Sequence, residues 1–456
     1  MRHLLLSFLM FWFCGAAQAQ QEIHFWHAMG GPLGEALNGL VQRFNESQKD
    51  VRVVAEQRGG YEDVMIAALK AQREGAGPDL VQVYEVGTEL MVASKSAIKP
   101  VWQVLAEGGQ SIETKSFVPA VASYFADGTG RLLALPFNIS TPILFYNKDA
   151  FRKAGLDPEN PPKTWYEMPK AMGALLNNAG YECVYTTVWP SWVHVENMST
   201  WSKQDFATKD NGLNGLDAKL VFNTHIMIRH ISFLSSWARA GYFTYSGRRI
   251  EGERRFVRGE CAMVTAASSS YADIKRDAKF EAGAAQLPYY DDIQGSPHHS
   301  VIGGAALWAM AGKKHAEYQA SARFLAWLAR PEVQADWAQR TGFVPLTRAA
   351  YERLAQAGFY KTNPGHEIAI KQLLLREPTR ESRGIRLGEF QAIRAIIEQE
   401  LEEVFEGKVP PKLALDRAAE RGDVLLRKFE QQHRAGIEPS VPARAPRAAP
   451  KKQKDK

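Results

Sequence analysis

Two tryptophans lie three residues apart in the stretch VWPSWVHVEN, which spans residues 188–197. Two explanations account for Trp189 and Trp192. Large aromatic side chains dominate the packing energy of protein cores, so the pair could simply be buried. An aromatic surface could instead bind a ligand, including a cationic group. Pro190 and Ser191 interrupt any helical stripe here, so this stretch alone leaves both explanations open.

Further candidates lie where predicted strands end. The predicted elements of the first hundred residues alternate as strand, helix, strand, helix and strand over 22–26, 33–44, 51–54, 61–72 and 79–84. In open α/β sheets, ligands bind in the crevice outside the carboxyl ends of the strands. Four residues stand at or just after these ends or at the next strand-to-helix junction, and they are candidates for binding: His27, Met29, Tyr61 and Glu85.

The sequence lacks the common signatures of hydrolytic enzymes. It has no Gly-x-Ser-x-Gly nucleophile elbow, no His-Glu-x-x-His motif and no Cys/His cluster with metal-ligand spacing. His298 and His299 stand beside Pro297, which favours a surface loop over a metal site. We therefore expect no catalytic residue, no metal and no cofactor. The paired carboxylates of a glycosidase could still meet in space without any motif.

The first residues, MRHLLLSFLMFWFCGAAQAQ, have the organisation of a secretory signal peptide. A basic start precedes an apolar run over residues 4–13, and the small-residue pattern Ala17-Gln18-Ala19 predicts cleavage after Ala19. The run is too short for a transmembrane helix. We therefore expect residues 1–19 to be removed on export.

The formal net charge of +6 comes from one end of the chain. Residues 441–456 carry six basic side chains and one acidic one, whereas the remainder, without Arg2, carries equal numbers of each. A balanced body argues against a nucleic-acid partner. Residues 435–456 are rich in Pro, Ala and Lys and have no apolar period, which predicts a disordered basic tail.

Cys183 and Cys261 are the cysteines that remain after the predicted cleavage. In an oxidising compartment they could form a disulfide. The sequence does not say whether their Cα atoms come within bridging distance, so pairing stays open.

A second α/β unit is predicted beyond residue 140. It starts with a strand over 142–146 and a helix over 148–154. Further along the chain, strands are predicted over 261–264 and 302–308 and helices over 317–328, 331–340 and most of 390–434. Gly155 is expected to end a helix and Thr164 to cap the start of another. Strands that alternate with helices of this length predict parallel, doubly wound sheets.

Several motifs, in their order along the chain, resemble family 1 extracellular solute-binding proteins, the capture subunits of ABC importers. The motifs are YNKDAFRKAGL (146–156), PPKTW (161–165), FVRGECAM (256–263), GGAALW (303–308), FLAWLARPEV (324–333) and TGFVP (341–345). Five phrases resemble members that bind glycerol 3-phosphate: FWH (25–27), QVYEVG (82–87), PFNISTP (136–142), GIRLG (384–388) and ERG (420–422). The similarity covers roughly residues 22–432.

This resemblance implies an α/β protein with the two-lobed periplasmic-binding-protein-like fold. Each lobe is expected to be a doubly wound sheet with flanking helices, and a hinge lets the lobes close over a solute. By analogy, residues 20–140 and 300–347 form the first lobe, and residues 141–299 and 348–434 form the second.

The resemblance also implies which residues bind the ligand. Glycerol 3-phosphate offers two hydroxyls and a phosphate, so its site needs acceptors at one end and a cation or amides at the other. Tyr61 and Glu85 would hold the glycerol hydroxyls. Ser140 would offer a hydroxyl or amide, and Gly304 a backbone N–H. Arg394, with its planar fork, would pair with the phosphate.

Both tryptophans of the opening stretch fall where the family lines its cleft. Trp189 and Trp192 would pack on the carbon skeleton of glycerol, and an indole face would attract the quaternary ammonium of choline. The resemblance thus favours a binding role over core packing for this pair.

Two positions depart from the family pattern. Phe343 stands where a tyrosine is expected in the Thr-Gly-Tyr motif, so the ring is kept and the phenolic donor is lost. Ala267 stands where a binding serine is expected, with Ser268 as its neighbour and the remaining candidate. Losing one hydrogen bond costs about 1 kcal/mol, so ligand preference could have shifted.

The resemblance implies a periplasmic binding protein without catalytic activity, for sn-glycerol 3-phosphate and for glycerophosphodiesters such as glycerophosphocholine. Two membrane permease subunits and a cytoplasmic ATPase would be its partners. A binding protein for an oligosaccharide or another polyol is the second hypothesis, because the fold is shared. A secreted phosphodiester or glycoside hydrolase is the third.

Overall fold

A computed structural model of the chain describes residues 20–94 and 96–437. The predicted signal peptide, residues 1–19, and the part of the predicted tail from residue 438 onward lie outside the described residues. Within them, ten strands form two separate sheets. In chain order the strands are β1 (Gln21–His27), β2 (Val51–Gln57), β3 (Leu80–Tyr84), β4 (Ile98–Lys99), β5 (Leu135–Ser140), β6 (Pro142–Asn147), β7 (Cys183–Thr187), β8 (Cys261–Ala267), β9 (Ala282–Gln286) and β10 (Gly303–Met310).

The first sheet has the order β2-β1-β3-β10-β4, and β5 also pairs with β10. Strands β1, β2 and β3 are parallel, as expected from the βαβ pattern. β10 is antiparallel to β3, β4 and β5, so the prediction of a wholly parallel sheet is wrong here. The reason is connectivity: β10 enters this sheet only after the chain has built the second one, and it starts at the edge where β3 and β5 end.

The second sheet has the order β7-β8-β6-β9. β7 and β8 are parallel, whereas β6 is antiparallel to β8 and β9, so this sheet is mixed as well. Cys183 and Cys261 are register partners in β7 and β8, and they form a disulfide across a Cα–Cα distance of 4.5 Å. The pairing of β7 with β8 therefore brings the two cysteines within bridging distance.

Helices pack against both sheets. The α-helices are α1 (Gly31–Ser47), α2 (Tyr61–Arg73), α3 (Thr88–Ala93), α4 (Val101–Glu107), α5 (Pro119–Phe125), α6 (Lys148–Lys153), α7 (Met168–Asn177), α8 (Met198–Trp201), α9 (Thr208–Asn211), α10 (His225–Arg239), α11 (Glu251–Val257), α12 (Ser270–Asp277), α13 (His315–Leu328), α14 (Pro331–Thr341), α15 (Arg348–Gln356), α16 (Phe359–Thr362), α17 (Pro364–Leu374), α18 (Phe390–Phe405) and α19 (Pro411–Arg434). A π-helical turn, Trp192–Asn197, precedes α8. Among the described residues, no helix combines the length and apolarity that a membrane crossing requires.

The predicted helices agree with the structure except at one start. Gly155 ends its helix in the left-handed region (φ 75°), as expected. Thr164 caps only a turn, because its Oγ1 accepts from the backbone N–H of Glu167 while helix α7 begins at Met168. Helix α7 starts later than predicted because Thr164 forms a parallel β-bridge with Tyr289, which keeps the backbone extended there.

The two sheets account for the α/β fold class. β1 to β5 precede residue 141 and belong to the first sheet, β6 to β9 follow it and form the second, and β10 returns to the first. The lobe boundaries inferred from the resemblance stay a prediction. Directly between the sheets, β5 ends at Ser140 and β6 begins at Pro142. The amide of Gln372 donates to Thr141 Oγ1 and to the backbone oxygen of Pro142, each at 3.0 Å, and so ties down this crossover.

The disulfide should stabilise the folded protein by closing a loop of 78 residues. We expect the double substitution Cys183→Ala and Cys261→Ala to lower the free energy of unfolding by about 2–4 kcal/mol. Urea unfolding followed by circular dichroism measures this loss. A reductant should lower the stability of the wild type and leave the double variant unchanged. Equal stability of the wild type with and without reductant would contradict the expectation.

Candidate functional site

A cavity of about 290 Å³ opens where the ends of strands from both sheets face each other. β1, β2, β3 and β5 run in the same direction, so their carboxyl ends share one edge, and antiparallel β10 starts at that edge. In the second sheet, β7 and β8 end at the edge where antiparallel β6 starts. Chain topology alone therefore places the strand-end residues of both sheets around one cleft.

Eight of the nine residues predicted to bind ligand line this cavity: Tyr61, Glu85, Ser140, Trp189, Trp192, Gly304, Phe343 and Arg394. The other lining residues are Leu33, Tyr84, Ile250, Glu253, Ala267, Ser269, Ser270, Asp273 and Gly303. The ninth predicted residue, Ser268, is buried beside the crossover, where its Oγ accepts from the backbone N–H of Thr141. Ala267, at the departure from the family pattern, faces the cavity instead.

A buried ion network crosses the cleft at the cavity wall. Arg394, on α18, binds the carboxylate of Glu196 in a bidentate manner, with Nε and Nη2 each 2.6 Å from one oxygen. Its Nη2 also donates to Glu85 Oε1 at 2.8 Å. Glu85 follows β3 of the first sheet, and Glu196 follows β7 of the second. One guanidinium therefore joins carboxylates from both sides of the cleft.

Burial and pairing shift the protonation equilibria of this network. Burial raises the pKa of Glu85, against the opposing attraction of Arg394. Burial alone would lower the pKa of the Arg394 guanidinium, but Glu196 and Glu85 raise it well above its usual value. Arg394 therefore stays charged. Its Nη1 donates to no described residue, whereas Nε and Nη2 are occupied.

Gly304 presents its backbone N–H to Glu85 Oε2 at 3.1 Å, so the amide that was expected to face ligand is engaged with a carboxylate. Gly304 has φ 109°, and a Cβ here would lie 1.9 Å from the carbonyl oxygen of Asn138. Its neighbour Gly303 leaves room for the indole of Trp192, which a Cβ would approach to 2.6 Å. Both glycines are thus required by close contacts, Gly304 with the backbone of β5 and Gly303 with the indole of Trp192.

The two tryptophans differ in their surroundings. Trp192 is 3% exposed, and its buried Nε1–H has no hydrogen-bond partner among the described residues. Trp189 is half-buried and has φ 48°, a strained conformation for a bulky residue. The guanidinium of Arg249 lies 4.7 Å from its ring centre. Both rings line the cavity, and Trp192 keeps a donor that has no partner among the described residues.

Comparison with known proteins gives the family of the chain. The bacterial extracellular solute-binding protein family matches residues 39–368. The sn-glycerol-3-phosphate-binding periplasmic protein UgpB of Yersinia pseudotuberculosis is 47% identical over 423 residues, which cover 92% of this chain and 96% of that protein. The UgpB of Salmonella paratyphi A is 47% identical over 433 residues, covering 94% and 98%. The chain is a bacterial extracellular solute-binding protein.

Solved structures agree with this fold. UgpB from Mycobacterium tuberculosis, solved in complex with glycerophosphocholine, superposes with a TM-score of 0.77 at 22% identity, covering 90% of this chain and 99% of that one. A cyclic alpha-maltosyl-1,6-maltose binding protein from Arthrobacter globiformis superposes with a TM-score of 0.73 at 23% identity, covering 90% and 100%. At these identities the likeness establishes the fold that the sequence predicted.

Other sequence-based candidates of this solute-binding protein lie away from the cavity. His27 is buried in β1, where burial lowers its pKa to about 4, and Met29 packs in the core of the first sheet. His298 and His299 are both buried, so the prediction of a surface loop is wrong. The ring of His299 sits between the backbone oxygens of Ser300 and Leu373. The described residues contain no group of three or more His, Cys, Asp or Glu arranged for a metal.

Two residues at or beside the cavity of this solute-binding protein, Glu196 and Tyr84, were not predicted from the sequence. Glu196 reads as an ordinary polar residue of the VWPSWVHVEN stretch, and its pairing with Arg394 spans 198 residues of chain. Tyr84, the last residue of β3, stacks on Tyr61 with 5.6 Å between ring centres. A rule that includes the final residue of each strand would have predicted Tyr84. No pattern in the sequence marks Glu196 as a partner of Arg394.

The pairing of Arg394 should contribute strongly to stability in this solute-binding protein. We expect Glu196→Gln to lower the free energy of unfolding by about 3 kcal/mol, the low end for a broken buried pair, because Glu85 remains. Glu159→Gln is the control, because Glu159 pairs with Lys148 at the surface. Its loss should lower the free energy of unfolding by less than about 1 kcal/mol. Chemical unfolding compares the two. Equal, small losses would contradict a structural role for the network.

Proposed function

We propose that this protein captures sn-glycerol 3-phosphate and glycerophosphodiesters such as glycerophosphocholine, and delivers them by hinge closure to the permease of an ABC importer. The observation that carries the proposal is the cavity itself. It combines unused hydrogen-bond donors with a carboxylate, in a chain 47% identical to proteins that bind sn-glycerol 3-phosphate.

Donors suited to a phosphate come from three side chains. Trp192 Nε1–H is buried and unpaired within the described structure, and Arg394 Nη1 has no partner there. Tyr61 accepts a hydrogen bond from Asn138 Nδ2 at 2.7 Å, which leaves its own proton for the ligand. Charge-assisted bonds from such groups to a phosphate are among the stronger ones in proteins.

Acceptors suited to glycerol hydroxyls come from the Glu85 carboxylate, which has about four lone pairs and uses one each for Arg394 and for the amide of Gly304. The cationic end of a choline diester needs an aromatic face and negative charge. Trp189, Glu253 and Asp273 all line the cavity and provide these features. The volume of about 290 Å³ lies at the small end for ligand sites, which favours a compact ligand over an oligosaccharide.

The place of this protein in a transport system forms part of the proposal. We propose that it acts in the periplasm after removal of residues 1–19, that it binds without catalysing a reaction, and that two membrane permease subunits and a cytoplasmic ATPase complete the importer. The relatives named above are periplasmic binding proteins, which supports this assignment.

A calorimetric titration tests the ligand class. Purified protein should bind sn-glycerol 3-phosphate and glycerophosphocholine, and it should not bind maltose. Incubation with either diester or a glycoside should release no phosphate, choline or sugar. Tight binding of the disaccharide alone would instead support the oligosaccharide hypothesis, and release that scales with protein concentration would support the hydrolase.

The unused indole donor should contribute to affinity. We expect Trp192→Phe to weaken binding of both ligands roughly tenfold, because it removes the hydrogen bond to a charged group and keeps the ring. Trp165→Phe is the matched control: its Nε1 is likewise buried and unpaired among the described residues, but Trp165 lies outside the cavity. Equal dissociation constants for the wild type and Trp192→Phe would show that this donor does not reach the ligand.

Trp189 should distinguish choline-bearing ligands from glycerol 3-phosphate. We expect Trp189→Ala to weaken binding of glycerophosphocholine more than binding of glycerol 3-phosphate, because only the choline group carries a cation. The melting temperature should change little, since the ring is half-buried on a strained backbone. A lower melting temperature with unchanged affinities would instead support core packing as the role of this tryptophan.

A further inference from the structure

A chain of hydrogen bonds leads from the backbone of the first sheet to the cavity. The N–H of Ala28, just after β1, donates to Gln82 Oε1 at 2.7 Å. Gln82 Nε2 donates to Asn138 Oδ1 at 2.7 Å, and Asn138 Nδ2 donates to the hydroxyl of Tyr61 at 2.7 Å. Gln82 and Asn138 are both fully buried, and only Tyr61 lines the cavity.

The direction of this chain is fixed by its first member. A backbone N–H can only donate, so Gln82 must turn its oxygen towards Ala28 and its NH₂ group towards Asn138. That NH₂ group can only donate, so Asn138 must turn its own oxygen towards Gln82 and its NH₂ group towards Tyr61. The hydroxyl of Tyr61 consequently accepts on the protein side, and its proton is directed elsewhere.

The free proton of Tyr61 has no acceptor among the described residues. The ring cannot turn away easily, because it stacks nearly parallel on Tyr84 with an interplanar angle of 6°. Burial raises the pKa of Tyr61, so the hydroxyl keeps its proton at neutral pH. The phenol therefore faces the cavity as a donor.

We propose that Gln82 and Asn138 are positioning residues that fix Tyr61 as an obligatory hydrogen-bond donor, so that the site selects an oxyanion oxygen of the ligand at this point. The inference rests on the proposed function only in taking that oxyanion to be the phosphate. It differs from the role that the resemblance gave Tyr61, since glycerol hydroxyls can donate or accept, whereas a phosphate oxygen without a proton only accepts. The site thus excludes groups that can only donate, such as an ammonium, from the place next to Tyr61.

Reversing the chain tests this inference. In Asn138→Asp the introduced carboxylate only accepts, so it takes the proton of Tyr61 and turns the phenol's lone pairs towards the ligand. We expect the dissociation constant for glycerophosphocholine to rise at least tenfold at pH 8. Below the pKa of the introduced carboxyl its O–H donates to Tyr61 again, so affinity should recover. A phosphodiester keeps one charge over this range, so the pH profile reports on the protein.

A double-mutant cycle separates hydrogen-bond direction from added charge. In a Tyr61→Phe background there is no phenol to reorient, whereas the charge of the introduced carboxylate remains. We expect Asn138→Asp to cost much less affinity in that background than in the wild type. Equal losses in both backgrounds, or a wild-type-like flat pH profile, would overturn the inference.

Gln82→Glu tests the same chain one residue further from the ligand. Its carboxylate still accepts from Ala28 but cannot donate to Asn138, so the Asn138 amide must turn its NH₂ group towards it and its oxygen towards Tyr61. We expect a loss of affinity that again depends on Tyr61, with near-ultraviolet circular dichroism and melting temperature measured to establish folding. If the wild type binds neither proposed ligand, the proposed function falls together with the inference. If it binds them and Tyr61 shows no coupling to Gln82 or Asn138, only the inference falls.

Discussion

The guanidinium of Arg394 lies out of water between two carboxylates, and much of the cleft follows from satisfying that charge. A buried cation is costly unless its hydrogen bonds are filled. Glu196 fills two of them from the second sheet, and Glu85 fills a third from the first. Glu85 in turn accepts the N–H of Gly304, and Ser191 Oγ donates to Glu196 at 2.9 Å. The network thus fixes the positions of the strand ends that surround the cavity.

The same network makes the two sides of the cleft interdependent. The direct passage from β5 to β6 gives the chain one short crossover, and Gln372 secures it through Thr141, Pro142 and also Ser300 Oγ at 2.6 Å. Because β10 starts just after Ser300, this one amide touches two of the segments that connect the sheets. We therefore expect any closure of the lobes to turn about the region held by Gln372 and to change the contact between Glu85 and Arg394.

Sequence reasoning succeeded where a local pattern carries the information. Apolar periodicity predicted six of the ten described strands and a minority of the described helices, α1, α2, α13 and α14 among them. The strand-end rule combined with a family resemblance predicted eight residues that line the cavity, including Tyr61 and Arg394. It failed where distant segments decide the outcome. The antiparallel entry of β10, the burial of His299 and the partner of Arg394 each depend on contacts between residues far apart in the chain. Ser268 shows a finer limit: it lies just after β8 and binds the backbone of Thr141, while its neighbours Ala267 and Ser269 line the cavity.

Trp189 and Trp192 both pack against neighbouring side chains and line the cavity, and a helical irregularity places the second of them there. Residues 192–197 form a π-helical turn, a feature that often accompanies functional sites. This turn places Trp192 at the cavity and Glu196 against Arg394. His194 enters a buried network in which His230 Nε2 lies 3.0 Å from its Nδ1. Burial lowers the pKa of His194 to about 3, so this network stays neutral and acts as core. Packing and a place in the cavity wall are therefore compatible in this stretch, because the buried side chains of the turn hold Trp192 against the cavity and Glu196 against Arg394.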